Sequence, residues 1–168
     1  MRDRDGSAAT EMALVTPLLL ALMFGSAEVG NYFLNQHALT KQVRDGARYA
    51  SRLTLSPTYD CPDEVFADPQ AEEKIANVTK TGTVNGTGTG RFPASAWSNV
   101  CPGSSAIDVS VRCVPEDTYE GIYSQLDGDI PVVKVSANID YESILGTLGF
   151  NTDGYCLRAE SEIAVAGL

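Results

Sequence analysis

The chain opens on a short charged head, Met1–Asp5, and then turns apolar. Met12 to Ala27 is a run of sixteen residues without a charge, broken only at Glu28 and resumed by Val29, Tyr32, Phe33 and Leu34. From Leu34 to Leu53 the pattern takes a helical period. At 100° per residue, Leu39, Val43, Ala47, Ala50 and Leu53 fall within about 120° of arc, and Lys41, Arg44, Arg48 and Arg52 within about 80° on the opposite side. No proline lies between Leu18 and Ser56. The pattern predicts one helix of about 45 residues, about 65–70 Å long at 1.5 Å per residue. Its first half is apolar all round and its second half amphipathic, and Leu55-Ser-Pro-Thr ends it.

Downstream the periods shorten. Residues 69–80 predict a short helix with Pro69 near its start and Asp68 as N-cap. Residues 81–90, "TGTVNGTGTG", lack the Lys-Ser/Thr and the following apolar helix of a phosphate-binding loop, and predict a flexible connection. Three stretches alternate with period two: Ala106–Val114, Ile130–Tyr141 and Tyr155–Val165. Val133, Val135, Ala137, Ile139 and Tyr141 share one face of the second. Leu157, Ala159, Ser161, Ile163 and Val165 oppose Arg158, Glu160 and Glu162 in the third. Half-buried strands between loops favour an antiparallel sheet, with the amphipathic half of the long helix as its cover. Ser143–Asn151 supplies a turn of helix in the last loop. The predicted class is α+β: a long N-terminal transmembrane/amphipathic helix packed on a small antiparallel β-sheet head.

Charge and cysteines place that head. The chain has 168 residues and a net charge of −10, and residues 54–168 hold 17 acidic against 6 basic residues. An acidic domain repels phosphate backbones and points away from nucleic acid. Cys61, Cys101, Cys113 and Cys156 all come after the apolar run, fit no paired zinc spacing, and stand far from the single histidine, His37. Four such cysteines predict two disulfides in an oxidising compartment. Connectivity is not deducible from spacing; pairing loop with loop and strand with strand favours Cys61–Cys101 and Cys113–Cys156, and facing parity argues mildly against the second bridge, since Cys113 shares the apolar face while Cys156 sits in phase with Arg158.

The apolar run admits two readings by length, since a spanning helix needs roughly 20 residues and a signal-peptide core about 7–15. Gly25-Ser26-Ala27 offers a signal-peptidase cut before Glu28, which would release a soluble periplasmic binding protein. Continuity of the helix through Ala27 favours an anchor that stays. Pro17 removes a donor opposite the Ala13 carbonyl and predicts a mild kink. Ala21 with Gly25, and Ser26 with Gly30, set small residues at the spacing that lets helices approach. Glu11 on its own fits either a carboxylate among head groups at the cytoplasmic boundary or one that pairs with a neighbour, because a charge at a bilayer edge is costly alone. Glu28 fits an interfacial or helix-pairing carboxylate at the outer boundary. Lys41, Arg44, Arg48 and Arg52 outnumber Arg2 and Arg4, which by charge count alone reverses the orientation. The cysteines and the acidic head outweigh that count.

The stretches "GSAATEMALVTPLLLALMFGSAEVGNYF" and "ALTKQVRDGARYASR" resemble the TadE/TadF-like minor pilins, pseudopilins of the tight-adherence (Tad/Flp) type IV pilus system. The resemblance covers residues 6–52, with Met12 where the family often has an aromatic residue. It implies prepilin-peptidase cleavage between Gly6 and Ser7, making Glu11 the fifth mature residue, and roles in assembly for Glu11, Pro17, Gly25 and Glu28. The new α-amino group on Ser7, positive at neutral pH, is a partner for the Glu11 of a neighbouring subunit. The implied organisation is a leader at 1–6, a transmembrane helix at 7–34, its amphipathic continuation at 35–55 and a periplasmic head at 56–168. The implied location is the bacterial inner membrane, single pass, and the implied partners are other pilins, the assembly platform and the prepilin peptidase. A head this long, against the very short major subunits of that family, implies a minor subunit.

Catalytic sets are missing from the sequence. One histidine allows no Ser-His or Cys-His pair beyond His37. The carboxylates at Asp60, Asp63 and Glu64 and at Asp127 and Asp129 match no calcium loop. Asn77-Val-Thr79 and Asn85-Gly-Thr87 match glycosylation acceptors too short to carry weight, and Trp97 suits a packing position better than a binding platform. The expectation is a structural subunit with no enzyme activity, no cofactor and no metal.

Overall fold

The computed structural model describes residues 5–61, 63–98, 101, 104–115, 128–147, 149 and 154–167. In chain order its elements are α1 (Asp5–Ser51), a short α2 (Leu55–Thr58), β1 (Tyr59–Asp60), β2 (Val65–Phe66), α3 (Ala71–Thr81), a 3-10 turn (Ala94–Trp97), β3 (Ile107–Val114), β4 (Ile130–Asp140), α4 (Ile144–Thr147) and β5 (Cys156–Ala164). The fold is α+β. Strands β3-β4-β5 form an antiparallel sheet in that order, and β1 and β2 pair as a separate ribbon. The chain divides into two compact units. One is Met1–Asn35 with Glu142–Asp153, and the other is Gln36–Tyr141 with Gly154–Leu168.

The second unit holds the core. Leu39, Val43, Ala47 and Ala50 are at most 1 % exposed, while Lys41, Arg44, Arg48 and Arg52 are exposed, so the amphipathic half of α1 buries the stripe that its period predicts. The sheet contributes Val109 and Val111 from β3, Val133, Val135, Ala137 and Ile139 from β4, and Leu157 from β5, all buried. Its other face carries Lys134 paired with Glu160 at 3.0 Å and Arg112 with Glu162 at 3.7 Å. Those exposed pairs add little stability. β4 opens with four consecutive buried residues, Ile130–Val133, so both its faces are covered at that end and alternation starts at Lys134. Ile75 and Thr79 bring α3 into the same core, the Thr79 hydroxyl donating to the Ile75 carbonyl at 2.9 Å. Gly82 ends α3 with φ 74°, a left-handed cap that glycine adopts without cost.

Three expectations are corrected. The long helix ends at Ser51, four residues before Leu55, because the C-terminal segment takes over its last carbonyls. Ala166 N–H donates to Ser51 O at 3.0 Å, and Thr54 bridges to Gly167. Asp68 is not the N-cap of α3; Gln70 holds that place, and the Asp68 carboxylate accepts the Gln70 N–H at 2.9 Å and pairs with Lys74 at 3.3 Å. The Gln70 bond first, and Lys74 after it, hold the Asp68 carboxyl below the usual carboxylate range.

The disulfides are Cys61–Cys113 and Cys101–Cys156, with Cα separations of 5.8 and 6.1 Å, each joining a loop to a strand instead of loop to loop and strand to strand as expected. Cys113 lies opposite Pro131 and Cys156 opposite Asp140 along β4. Those positions are about 30 Å apart at 3.3 Å per residue, far beyond the roughly 7 Å Cα limit of a bridge. Each cysteine is instead joined to one that a loop delivers to its own end of the sheet.

Tyr59 ties the ribbon to α1: its hydroxyl donates to Ala50 O at 2.7 Å. Burial, with a smaller contribution from Tyr49, pushes the phenol well above the usual tyrosine range. Deprotonation is therefore easier in the unfolded chain. The stability tied to the neutral phenol is full below about pH 10 and falls as pH rises past it. Tyr59→Phe is expected to cost about 1 kcal/mol at neutral pH and to flatten this alkaline loss. Urea midpoints at neutral and alkaline pH check both.

Candidate functional site

The first unit is built on the apolar half of α1. Here burial is the reverse of the core: Met12 is 68 %, Leu14 80 %, Leu18 61 % and Leu22 62 % exposed. None of its most apolar stretch is buried, and the helix is long and apolar enough to cross a membrane. A contiguous apolar surface of that size calls for lipid or other helices.

Glu11 and Glu28 bracket the run. They stand seventeen positions apart, about 25 Å along the axis, close to the thickness of a bilayer core. Glu11 is exposed. Glu28 is half-buried, and its Oε2 accepts the Leu145 N–H at 3.1 Å. Leu145 belongs to the short α4, whose first N–H groups have no intrahelical acceptor. The Ser143 hydroxyl takes the Gly146 N–H at 2.9 Å. Glu28 thus holds a loop of its own chain, a partner that its position in the sequence did not reveal.

Pro17 sits inside α1, and the Thr16 hydroxyl before it donates to Met12 O at 2.6 Å. The helix runs through Gly6 and Ser7 from Asp5. A cut between them therefore requires the first turn to open, as helix ends do readily. The preceding residues 1–4, and the side chains of residues 5–8, lie outside the described residues.

Glycines divide by neighbourhood. A Cβ added at Gly25 or Gly30 would meet nothing within 4 Å. Nothing among the described residues asks for glycine there, although each costs helix propensity of about 1 kcal/mol relative to alanine. Gly46 is the opposite case. A Cβ there would collide with Thr79 Oγ1 and lie 3.2 Å from Thr79 Cβ, so Gly46 is where α3 lies directly against α1. Sequence reading passed over Gly46; the signal was a glycine interrupting an otherwise strong amphipathic helix.

Residues 6–48 match the family model of TadE-like proteins. The segment is TadE-like. It contains every proposed processing and assembly residue, Gly6, Ser7, Glu11, Pro17, Gly25 and Glu28. The match spans 43 of the 168 residues and so speaks for the helix rather than for residues 49–168. No curated protein and no solved structure matches this chain.

Of the carboxylates considered as metal ligands, one has another partner and one falls outside the described residues. Glu64 accepts the Cys113 N–H at 3.0 Å, and Asp127 lies outside the described residues. Asp140 comes within 4.8 Å of the sulfurs of Cys101 and Cys156, but those sulfurs are bonded to each other and offer no thiolate.

Proposed function

We propose that this chain is a minor pilin or pseudopilin of a Tad-type pilus, a non-catalytic subunit that assembles through its TadE-like helix. The observation that carries the proposal is the exposed apolar half of α1 within the TadE-like segment. Such a surface is stable in the inner membrane before assembly and between neighbouring helices afterwards, and small residues at Gly25 and Gly30 suit that exchange. The head is exported, and its two disulfides suit an oxidising compartment. Prepilin peptidase cuts after Gly6. The new Ser7 amine of one subunit then meets the exposed Glu11 of the next, and the pair sets axial register as helices slide out of the membrane.

Mass spectrometry of the mature N-terminus tests the processing. Ser7 is expected; Glu28 would replace the proposal with a soluble secreted protein. Glu11→Ala is expected to leave folding and insertion intact and to lower incorporation into pili at least about tenfold, the equivalent of losing one charge-assisted pair of about 1.4 kcal/mol per subunit contact. Incorporation equal to wild type, measured by immunoblot of sheared pili, would refute the pairing.

A further inference from the structure

An open cleft of about 510 Å³ lies in the second unit, between the end of α3, the glycine-rich loop and the 3-10 turn. Its volume falls within the roughly 300–1,000 Å³ of small-molecule sites. The loop that forms one wall has no regular structure but packs on its neighbours. A Cβ on Gly88 would strike the Thr81 carbonyl and one on Gly90 the Lys80 carbonyl. The backbone is thus folded directly onto the end of α3. The Gly88 N–H donates to the Thr83 hydroxyl at 2.9 Å, and the Asn77 amide to Val84 O at 3.2 Å.

The lining combines three chemistries. Phe92 is half-buried and meets Trp97 edge to face, with ring centroids 6.1 Å apart. Thr89 and Ser98 bring hydroxyls, and Lys80 brings the cation. The indole N–H of Trp97 is buried without an acceptor among the described residues. The surrounding charge is unlike the rest of the molecule. From Lys74 to Ile107 there is no Asp or Glu; Lys74 is paired with Asp68 at 3.3 Å, and Lys80 and Arg91 are the segment's other cations, in a chain whose net charge is −10. A local positive field in an acidic protein selects a small anion and excludes a cation. Aromatic and proline surface beside hydroxyls suits a ring with apolar C–H faces and polar edges.

We infer that this cleft binds a carboxylated sugar, a uronic-acid residue whose ring lies against Phe92 and whose carboxylate meets Lys80. The source is either the free sugar or the end of an acidic polysaccharide.

The chain's single tryptophan reports the site. The full chain, in zwitterionic micelles free of sugar head groups, is titrated with galacturonate, galactose, acetate and trigalacturonate while Trp97 fluorescence is followed. Galacturonate is expected to give a saturable change in the millimolar range, with galactose at least about tenfold weaker for want of the charge-assisted bond and acetate silent. Lys80→Gln is expected to remove that preference while leaving the response to galactose within about twofold, which separates loss of the bond from loss of the fold. Tighter binding of trigalacturonate assigns the site to a polymer end, and equal binding to the free sugar; either supports the site. The inference is overturned if no probe gives a saturable change, if acetate matches galacturonate, or if Lys80→Gln binds galacturonate as well as wild type.

Discussion

Replacing Cys101 and Cys156 together by alanine is expected to cost about 4 kcal/mol, the loop-entropy value for a bridge closing 55 residues. Against a total stability of roughly 5–15 kcal/mol, that loss removes a large share of the margin but leaves most of the population folded. The Cys61–Cys113 bridge closes a loop of 52 residues, so its removal is expected to cost nearly the same. Urea unfolding of both double variants, beside wild type under reducing conditions, measures the three losses. The near equality is the informative part. A loss well below about 1 kcal/mol for either bridge would mean that the unfolded chain already holds those cysteines close.

Gly46→Ala is expected to destabilise the second unit by about 2 kcal/mol, although alanine is the better helix former by about 1 kcal/mol. The added methyl collides with the Thr79 hydroxyl, itself fully buried and bonded to Ile75 O. α3 must shift or Thr79 must leave its rotamer. Combining Gly46→Ala with Thr79→Ala is expected to recover part of the loss, since the nearest atom is gone while Cβ remains. Gly25→Ala is the control on the same helix. Its added methyl meets nothing among the described residues, so the urea midpoint is expected to hold within about 0.5 kcal/mol. If the open face at Gly25 receives a neighbouring helix, as the proposed assembly requires, the same substitution lowers recovery in sheared pili. A loss of stability at Gly25, or none at Gly46, would contradict this division of the helix into an outward-facing part and a core part.

Much of the architecture was legible because its causes are local. The α1 stripe at Leu39, Val43, Ala47 and Ala50 comes from a 3.6-residue period, and all four residues are buried. The three strands come from period-two alternation, and their observed bounds lie within one residue of the predicted ones. Of the candidate site, the apolar run with Glu11 and Glu28 at its ends was legible for the same reason, since absence of charge over sixteen residues is visible without any fold. The β1–β2 ribbon was not legible, because two strands of two residues each carry no period.

Sequence by itself therefore determined the helix, its two-part character, the strand faces and the acidic, cysteine-bearing nature of the head. Tertiary structure alone decided which cysteines meet, where α1 stops, what Glu28 holds and why Gly46 is glycine. Each of those depends on a partner far along the chain: Cys156 for Cys101, Ala166 for Ser51, Leu145 for Glu28 and Thr79 for Gly46. Periodicity records which face of an element is apolar. It does not record which residue of another element arrives opposite, because that is set by strand register and by the packing of the whole unit.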